Sequence, residues 1–301
     1  MRYGIVILPQ ADWPEAARYW QGAEALGFDH AWTYDHLAWR GLAGERWHAT
    51  VPTLTAAAMV TERIGLGTFV ASPNYRHPVP FAKDLATVDQ IAGGRMLLGF
   101  GSGGTGFDAF VLGQAELTPR ERHERFAEFA EALDTLLRFE TPGGPDASGG
   151  AGISFEGEWY TADSARMVGE PAQRPRMPLH LAANGPRGLE LTVRIADGWI
   201  TTGGEHDDAE VWWTGVERLA RRLDDACESA GRVPGSLART LSLDAEGRYS
   251  LESVGAFEDA VGRATELGFT DVVAHWPRTE GVYAGRESVL EEVASRLDRL
   301  R

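Results

Sequence analysis

The 301-residue chain has almost no lysine: Lys83 is the single one, and arginine carries the rest of the positive charge. The formal net charge is −15. That balance argues against nucleic acid as a partner, because neutralising phosphates requires a basic surface and no run of Lys or Arg supplies one. Cysteine is as scarce. Cys227 stands alone, which excludes an intrachain disulfide. Within Leu223-Asp-Asp-Ala-Cys-Glu-Ser-Ala230 it reads as a small hydrophobe on a helix. Long apolar runs are missing too. Met1-Arg-Tyr-Gly-Ile-Val-Ile-Leu8 stops at Pro9, too short for a secretory leader. No stretch reaches the roughly 20 apolar residues that cross a bilayer. The expectation is a cytoplasmic protein that works on a small molecule, with no membrane partner.

What the chain does have is hydrophobic residues, 43% of the total, in short runs that alternate with longer amphipathic stretches. Strands are expected over 3–8, 29–34, 64–70, 96–101, 179–182, 198–201, 239–243 and 271–275. Helices are expected over 14–26, 53–61, 80–91, 121–139, 187–195, 209–230, 254–267 and 287–300. Gly27 and the pair Gly93-Gly94 stand where helices end. Strict strand–helix alternation implies parallel strands joined by helical crossovers. Eight such units predict a (β/α)8 TIM barrel, α/β in class, as one domain over 1–301. The Gly/Pro-rich stretch 141–152 interrupts the pattern and places an insertion, about 140–178, between the fourth helix and the fifth strand. A doubly wound sheet is the alternative architecture.

The stretch Met96-Leu-Leu-Gly-Phe-Gly-Ser-Gly-Gly-Thr105 contains Gly99, Gly101 and Gly104 in the order G-x-G-x-x-G. As a dinucleotide fingerprint it belongs in the first strand–helix turn, with an acidic residue about 20 positions on at the next strand end. Here it follows the fourth strand, and a helix lies 20 residues on. The dinucleotide reading fails on that context. The glycines instead let backbone approach a ligand at the mouth of a barrel, or they form a tight turn and nothing more.

Other strand ends share that face. Strand two runs into Tyr34-Asp35-His36-Leu37-Ala38-Trp39. An imidazole gives and takes a proton near neutral pH, and a carboxylate can orient it. Strand three runs into Phe69-Val70-Ala71-Ser72-Pro73. Strand five ends in Ala183-Asn184-Gly185-Pro186, at a helix N-terminus whose amides suit an anion. Strand six ends in Thr201-Thr202.

In these segments the chain resembles the bacterial luciferase-like flavin and deazaflavin oxidoreductases. The matching stretches are Gly27-Phe-Asp-His-Ala-Trp-Thr-Tyr-Asp-His36, Arg63-Ile-Gly-Leu-Gly-Thr68, Arg76-His-Pro78, Gly93-Gly-Arg95 and Leu98-Gly-Phe-Gly-Ser-Gly103. Further on come Phe155-Glu-Gly-Glu-Trp-Tyr160, Pro178-Leu-His-Leu-Ala-Ala-Asn-Gly-Pro186 and Ala196-Asp-Gly-Trp199. Beyond about residue 205 the likeness is architectural.

The resemblance implies a cofactor across the barrel mouth. Asp35, Phe69, Val70 and Ser72 would border its ring, with a non-proline cis peptide at Phe69–Val70. Ser102, Gly103, Gly104, Asn184, Gly185, Thr201 and Thr202 would hold the rest, its phosphate above all. Gly104 stands where some relatives carry an acidic active-site residue, so that role is missing or has moved. His36 would exchange a proton, held by Asp35, and Trp39 and Trp276 would border the substrate. The implied cofactor is coenzyme F420, passing a hydride to or from a small organic substrate. The alternatives are an FMN-dependent monooxygenase and a cofactor-free barrel that serves as a binding protein. Relatives that oxidise sugar phosphates use late lysines, and none follows Lys83, which counts against a sugar phosphate unless Arg278 or Arg286 substitutes. The resemblance also implies a homodimer through the helices after strands two and three, and an insertion that covers part of the mouth.

Overall fold

Eight parallel strands close on themselves in the computed structural model, which describes residues 1–104, 106–140, 152–204, 208–244 and 249–301. In chain order the elements are β1 (Arg2–Val6), α1 (Trp13–Ala25), β2 (His30–Thr33), α2 (Thr50–Val60), β3 (Gly65–Ala71), α3 (Pro78–Ile91), β4 (Met96–Gly101) and α4 (Pro119–Leu137). After these come β5 (Ile153–Glu156), β6 (Thr161–Ala165), β7 (Leu179–Ala182), α5 (Pro186–Ile195), β8 (Gly198–Thr201) and α6 (Ala209–Ser229). The chain closes with β9 (Ala238–Ser242), α7 (Val254–Glu266), β10 (Asp271–His275), α8 (Glu287–Ala294) and α9 (Leu297–Leu300). Around the barrel the order is β1-β10-β9-β8-β7-β4-β3-β2.

The expected (β/α)8 barrel is therefore the fold, and each expected strand has its counterpart. The last expected helix is two, α8 and α9. The insertion contributes the antiparallel hairpin β5–β6; its stretch 141–151 lies outside the described residues. Among the described residues no helix is long and apolar enough to cross a membrane.

Period-two alternation sorts each strand's side chains onto two faces. On β1, Tyr3 and Ile5 pack into the large cluster under the helices, whereas Val6 joins Trp32, Tyr34, Phe69, Ile200 and Val273 in a smaller one inside the barrel. Trp32 sets the space there. A Cβ on Gly67 of β3 would lie 2.3 Å from the Trp32 ring, so that strand needs a glycine. Where α4 begins, Thr118 and Glu121 bond each other's backbone N–H groups in a capping box. The box fixes where the loop from β4 ends.

Low in the barrel, Trp32 Nε1 donates to His30 Nδ1 at 2.6 Å, and His30 Nε2 donates to Asp271 at 2.9 Å. His180 is buried beside them, its ring 6.2 Å from that of Trp32. Burial lowers the His180 pKa from 6.5 to about 4. The unfolded chain therefore binds a proton in that window that the folded chain refuses. Stability should fall as pH drops from about 6.5 toward 4, by at most about 3 kcal/mol from this residue. Urea midpoints for wild type and His180→Gln check it: the variant should show a flatter dependence, and equal slopes would remove His180 from the acid response.

Candidate functional site

The C-terminal ends of the strands open into a cavity of about 890 Å³, the face where barrels of this type place chemistry. His36, Trp39, Phe69, Val70, Ser72, Ser102, Gly103, Gly104, Asn184, Thr201 and Thr202 all line it. They come from the ends of β2, β3, β4, β7 and β8, so topology brings together residues up to 166 positions apart.

The wall on the β3–β4 side is bare backbone. The Phe69–Val70 peptide bond is cis, as the resemblance implied, and the register of β3 against β4 shifts between Thr68 and Ala71. Past β4 the chain turns at Gly103 with φ of +74°, and a Cβ there would lie 2.5 Å from Asn74 Oδ1. Both facts demand glycine. Asn74 is held in turn by Arg125, which donates to its Oδ1 at 2.6 Å. On the β7–β8 side, Thr201 Oγ1 donates to Asn184 Oδ1 at 2.7 Å. That fixes the amide so that its NH2 is the edge left for a ligand. The turn of Ser102 and Gly103, together with Asn184 ahead of α5, is a cradle of hydroxyl, amide and backbone N–H donors. It fits an anionic group such as a phosphate.

His36 faces the cavity, but Asp35 does not hold it. Consecutive residues on extended backbone point to opposite sides. Asp35 is turned into the wall and almost fully buried, where Tyr75 Oη (2.9 Å) and Arg76 (2.7 Å) donate to it. His36 Nδ1 instead donates to Asp108 Oδ2 at 2.6 Å, while Asp108 Oδ1 accepts the backbone N–H of Leu37 at 2.9 Å. Asp108 sits on a single helical turn, Phe107–Ala109, in the loop after β4. A carboxylate can only accept, so Nδ1 carries the hydrogen and Nε2 is the basic edge of His36.

Two further expectations are corrected. Trp276 follows the inward-facing His275, so alternation turns it outward. Its ring packs 5.1 Å from Tyr19 of α1, and its Nε1 donates to Glu287. Gly185 is the N-cap of α5 and lies one residue past the lining. The described part of the insertion does not cover this mouth either. Its described residues stay off the lining, and Trp159 and Tyr160 border a separate cavity with Arg76, Gln114 and Arg125.

The sequence reading missed most of the other half of the mouth. Tyr34, Asp244, Tyr283 and Arg40 line it, together with Arg278, which the sequence did raise as a substitute for a late lysine; Arg286 is not on the lining. Burial, then Tyr283, pushes the Tyr34 hydroxyl well above its ordinary pKa of 10. Arg278 reaches across to Glu45 at 2.7 Å, tying the β10 loop to the β2 loop. One signal for Asp108 was present: it is the only carboxylate between Gly104 and Glu116.

A closed parallel barrel with a glycine-lined turn and a carboxylate-anchored histidine at its mouth defines the class of fold and site. Within it, the chain belongs to the luciferase-like monooxygenase family, whose profile matches residues 1–245. It is 36% identical over 214 residues to an F420-dependent glucose-6-phosphate dehydrogenase of Nakamurella multipartita, covering 67% of this chain and 58% of that one. It is 30% identical over 256 residues to an F420-dependent hydroxymycolic acid dehydrogenase of Mycobacterium tuberculosis, covering 82% of this chain and 61% of that one. The chain thus spans about three fifths of the length of these curated relatives. Its fold matches the coenzyme F420-dependent tetrahydromethanopterin reductase of Methanopyrus kandleri with a TM-score of 0.75, at 19% identity over 100% of this chain and 99% of that one.

Proposed function

We propose that the chain is a coenzyme F420-dependent oxidoreductase that moves a hydride between the coenzyme and a small organic substrate at the barrel mouth. The observation that carries this reading is His36, held by Asp108, facing the same cavity as the glycine cradle. The printed names of the relatives support the coenzyme. Bound there, a deazaflavin supplies hydride chemistry. The chain's own residues do the rest. Ser102, Gly103 and Asn184 hold the phosphate, the Phe69–Val70 bulge backs the ring, and His36 Nε2 gives or takes the accompanying proton. A homodimer through α2 and α3 is part of this reading, supported by the exposed Met59 and Ile91 on those helices. Lys83, bonded to the Val168 carbonyl, lies off the cavity, so lysine-based recognition of a sugar phosphate is not available at this mouth.

Fluorescence titration of coenzyme F420 against FMN tests the coenzyme. Tighter binding of F420 is expected, and Gly103→Asp should weaken it by a few kcal/mol. That substitution drives a Cβ into Asn74 and sets a carboxylate beside the phosphate. FMN binding with none of F420 would turn the reading to a flavin monooxygenase. Unchanged affinity in Gly103→Asp would put the cofactor on other loops.

A further inference from the structure

We propose that the second cavity is a binding site of its own, for a carboxylate with a flat apolar body and a hydroxyl beside the carboxylate. The cavity lies between the loops after β3 and β4, the second turn of α4 and the turn of the β5–β6 hairpin. The inference goes beyond the coenzyme reading above and does not depend on it.

The volume is about 570 Å³, inside the roughly 300–1,000 Å³ of small-molecule sites. The chain carries 44 acidic residues against 29 basic ones, yet no Asp or Glu borders this cavity and two arginines do. The two are not equivalent. Arg76 is already met by Asp35. Arg125 is 8% exposed, and its one hydrogen bond among the described residues runs from Nη2 to Asn74 Oδ1 at 2.6 Å. Asn74 is neutral, so the bond leaves the charge unbalanced. Glu128, one turn further along α4, is committed elsewhere: it accepts the backbone N–H groups of Glu158, Trp159 and Tyr160. A guanidinium keeps its proton at any working pH. A buried one without a carboxylate is costly, and an anion in the cavity is the group that offsets it.

Three polar atoms on the lining are buried and make no hydrogen bond: Arg125 Nε, Trp159 Nε1 and Gln114 Oε1. The first two can only donate, and the third can only accept. The Gln114 amide cannot turn round to become a donor, because its Nε2 already donates to the Asn74 carbonyl at 2.9 Å. Two donors and one acceptor are the complement of a carboxylate with a neighbouring hydroxyl. The carboxylate accepts from Arg125 and Trp159, and the hydroxyl donates to Gln114. Around them the wall is apolar and aromatic. Leu117 and Tyr160 belong to it, and so does Leu112, which is 70% exposed. A flat hydrocarbon body suits such a wall and takes Leu112 out of water.

Asn74 separates this cavity from the mouth. It lines the second cavity, and its side chain is what a Cβ on Gly103 would strike. The occupant of the second cavity therefore bears on the residue that shapes the turn after β4.

The test is a fluorescence titration of 3-hydroxy-2-naphthoate without coenzyme, with 2-naphthol as the probe that lacks the carboxylate. Wild type should bind the naphthoate at least about tenfold more tightly than 2-naphthol, the usual difference for hydrogen bonds to a charged group. Arg125→Gln keeps an amide donor for Asn74 and removes the charge. Trp159→Phe keeps a ring and removes the donor. Each should lose at least about tenfold in affinity. Arg278→Met removes a cation of the mouth and should bind as wild type does. No binding to wild type, equal binding of 2-naphthol, wild-type affinity in Arg125→Gln or in Trp159→Phe, or a loss in Arg278→Met overturns the site. Trp159→Phe decides alone if Arg125→Gln does not fold.

Discussion

His36→Ala should turn over substrate about 10²–10⁴-fold more slowly than wild type, the usual loss when a general acid–base is removed. Its coenzyme affinity should barely move. The imidazole is 31% exposed, enough to meet a ligand, and its Nδ1 is committed to Asp108, so Nε2 is the reactive edge. The proposed phosphate cradle lies on other strand ends, around Gly103 and Asn184, and does not depend on this ring. Asp108→Asn should fall in the same direction by a smaller factor. An amide can donate to Nδ1 and so favour the wrong tautomer, while the ring itself stays. The measurement pairs single-turnover rate with coenzyme affinity on folded protein. Wild-type turnover in His36→Ala would take the histidine out of the mechanism, and unchanged turnover in Asp108→Asn would mean that Asp108 does not set the tautomer of His36.

The barrel was legible because its cause is local. Each strand is a short apolar run, each helix an amphipathic stretch, and strict alternation forces parallel neighbours. The lining was legible for the same reason: residues that end a strand, such as His36, Ser102 and Thr201, must open onto one face. Partnerships were not legible, because they depend on which way a side chain points and on what meets it from far along the chain. Asp35 adjoins His36 in sequence and faces the opposite way, whereas Asp108, 72 residues on, makes the bond. Trp276 fell to the same alternation. Tyr34 meets His275 across 241 residues and Tyr283 across 249, separations that no periodicity reports.

The misassigned carboxylate yields the largest expected loss of stability. Asp35 and Arg76 form a buried ion pair, 2.5 Å between Arg76 Nη1 and Asp35 Oδ2, with side chains 1% and 12% exposed. The guanidinium also lies 4.4 Å from the Tyr75 ring centroid and 4.5 Å from that of Phe81, so it cannot swing out to water without leaving both rings. Asp35→Ala leaves that charge buried and uncompensated, which costs about 3–5 kcal/mol. Removing both charges is a different matter. Asp35→Leu with Arg76→Met trades the pair for apolar volume and should recover much of the loss, because desolvation and attraction vanish together. Urea midpoints of the single and double variants measure the coupling. Turnover per folded molecule should stay far above that of His36→Ala, since Asp35 lies behind the wall and touches neither His36 nor the cavity. A stable Asp35→Ala protein with turnover as low as His36→Ala would return Asp35 to the chemistry and leave Asp108 as the structural partner.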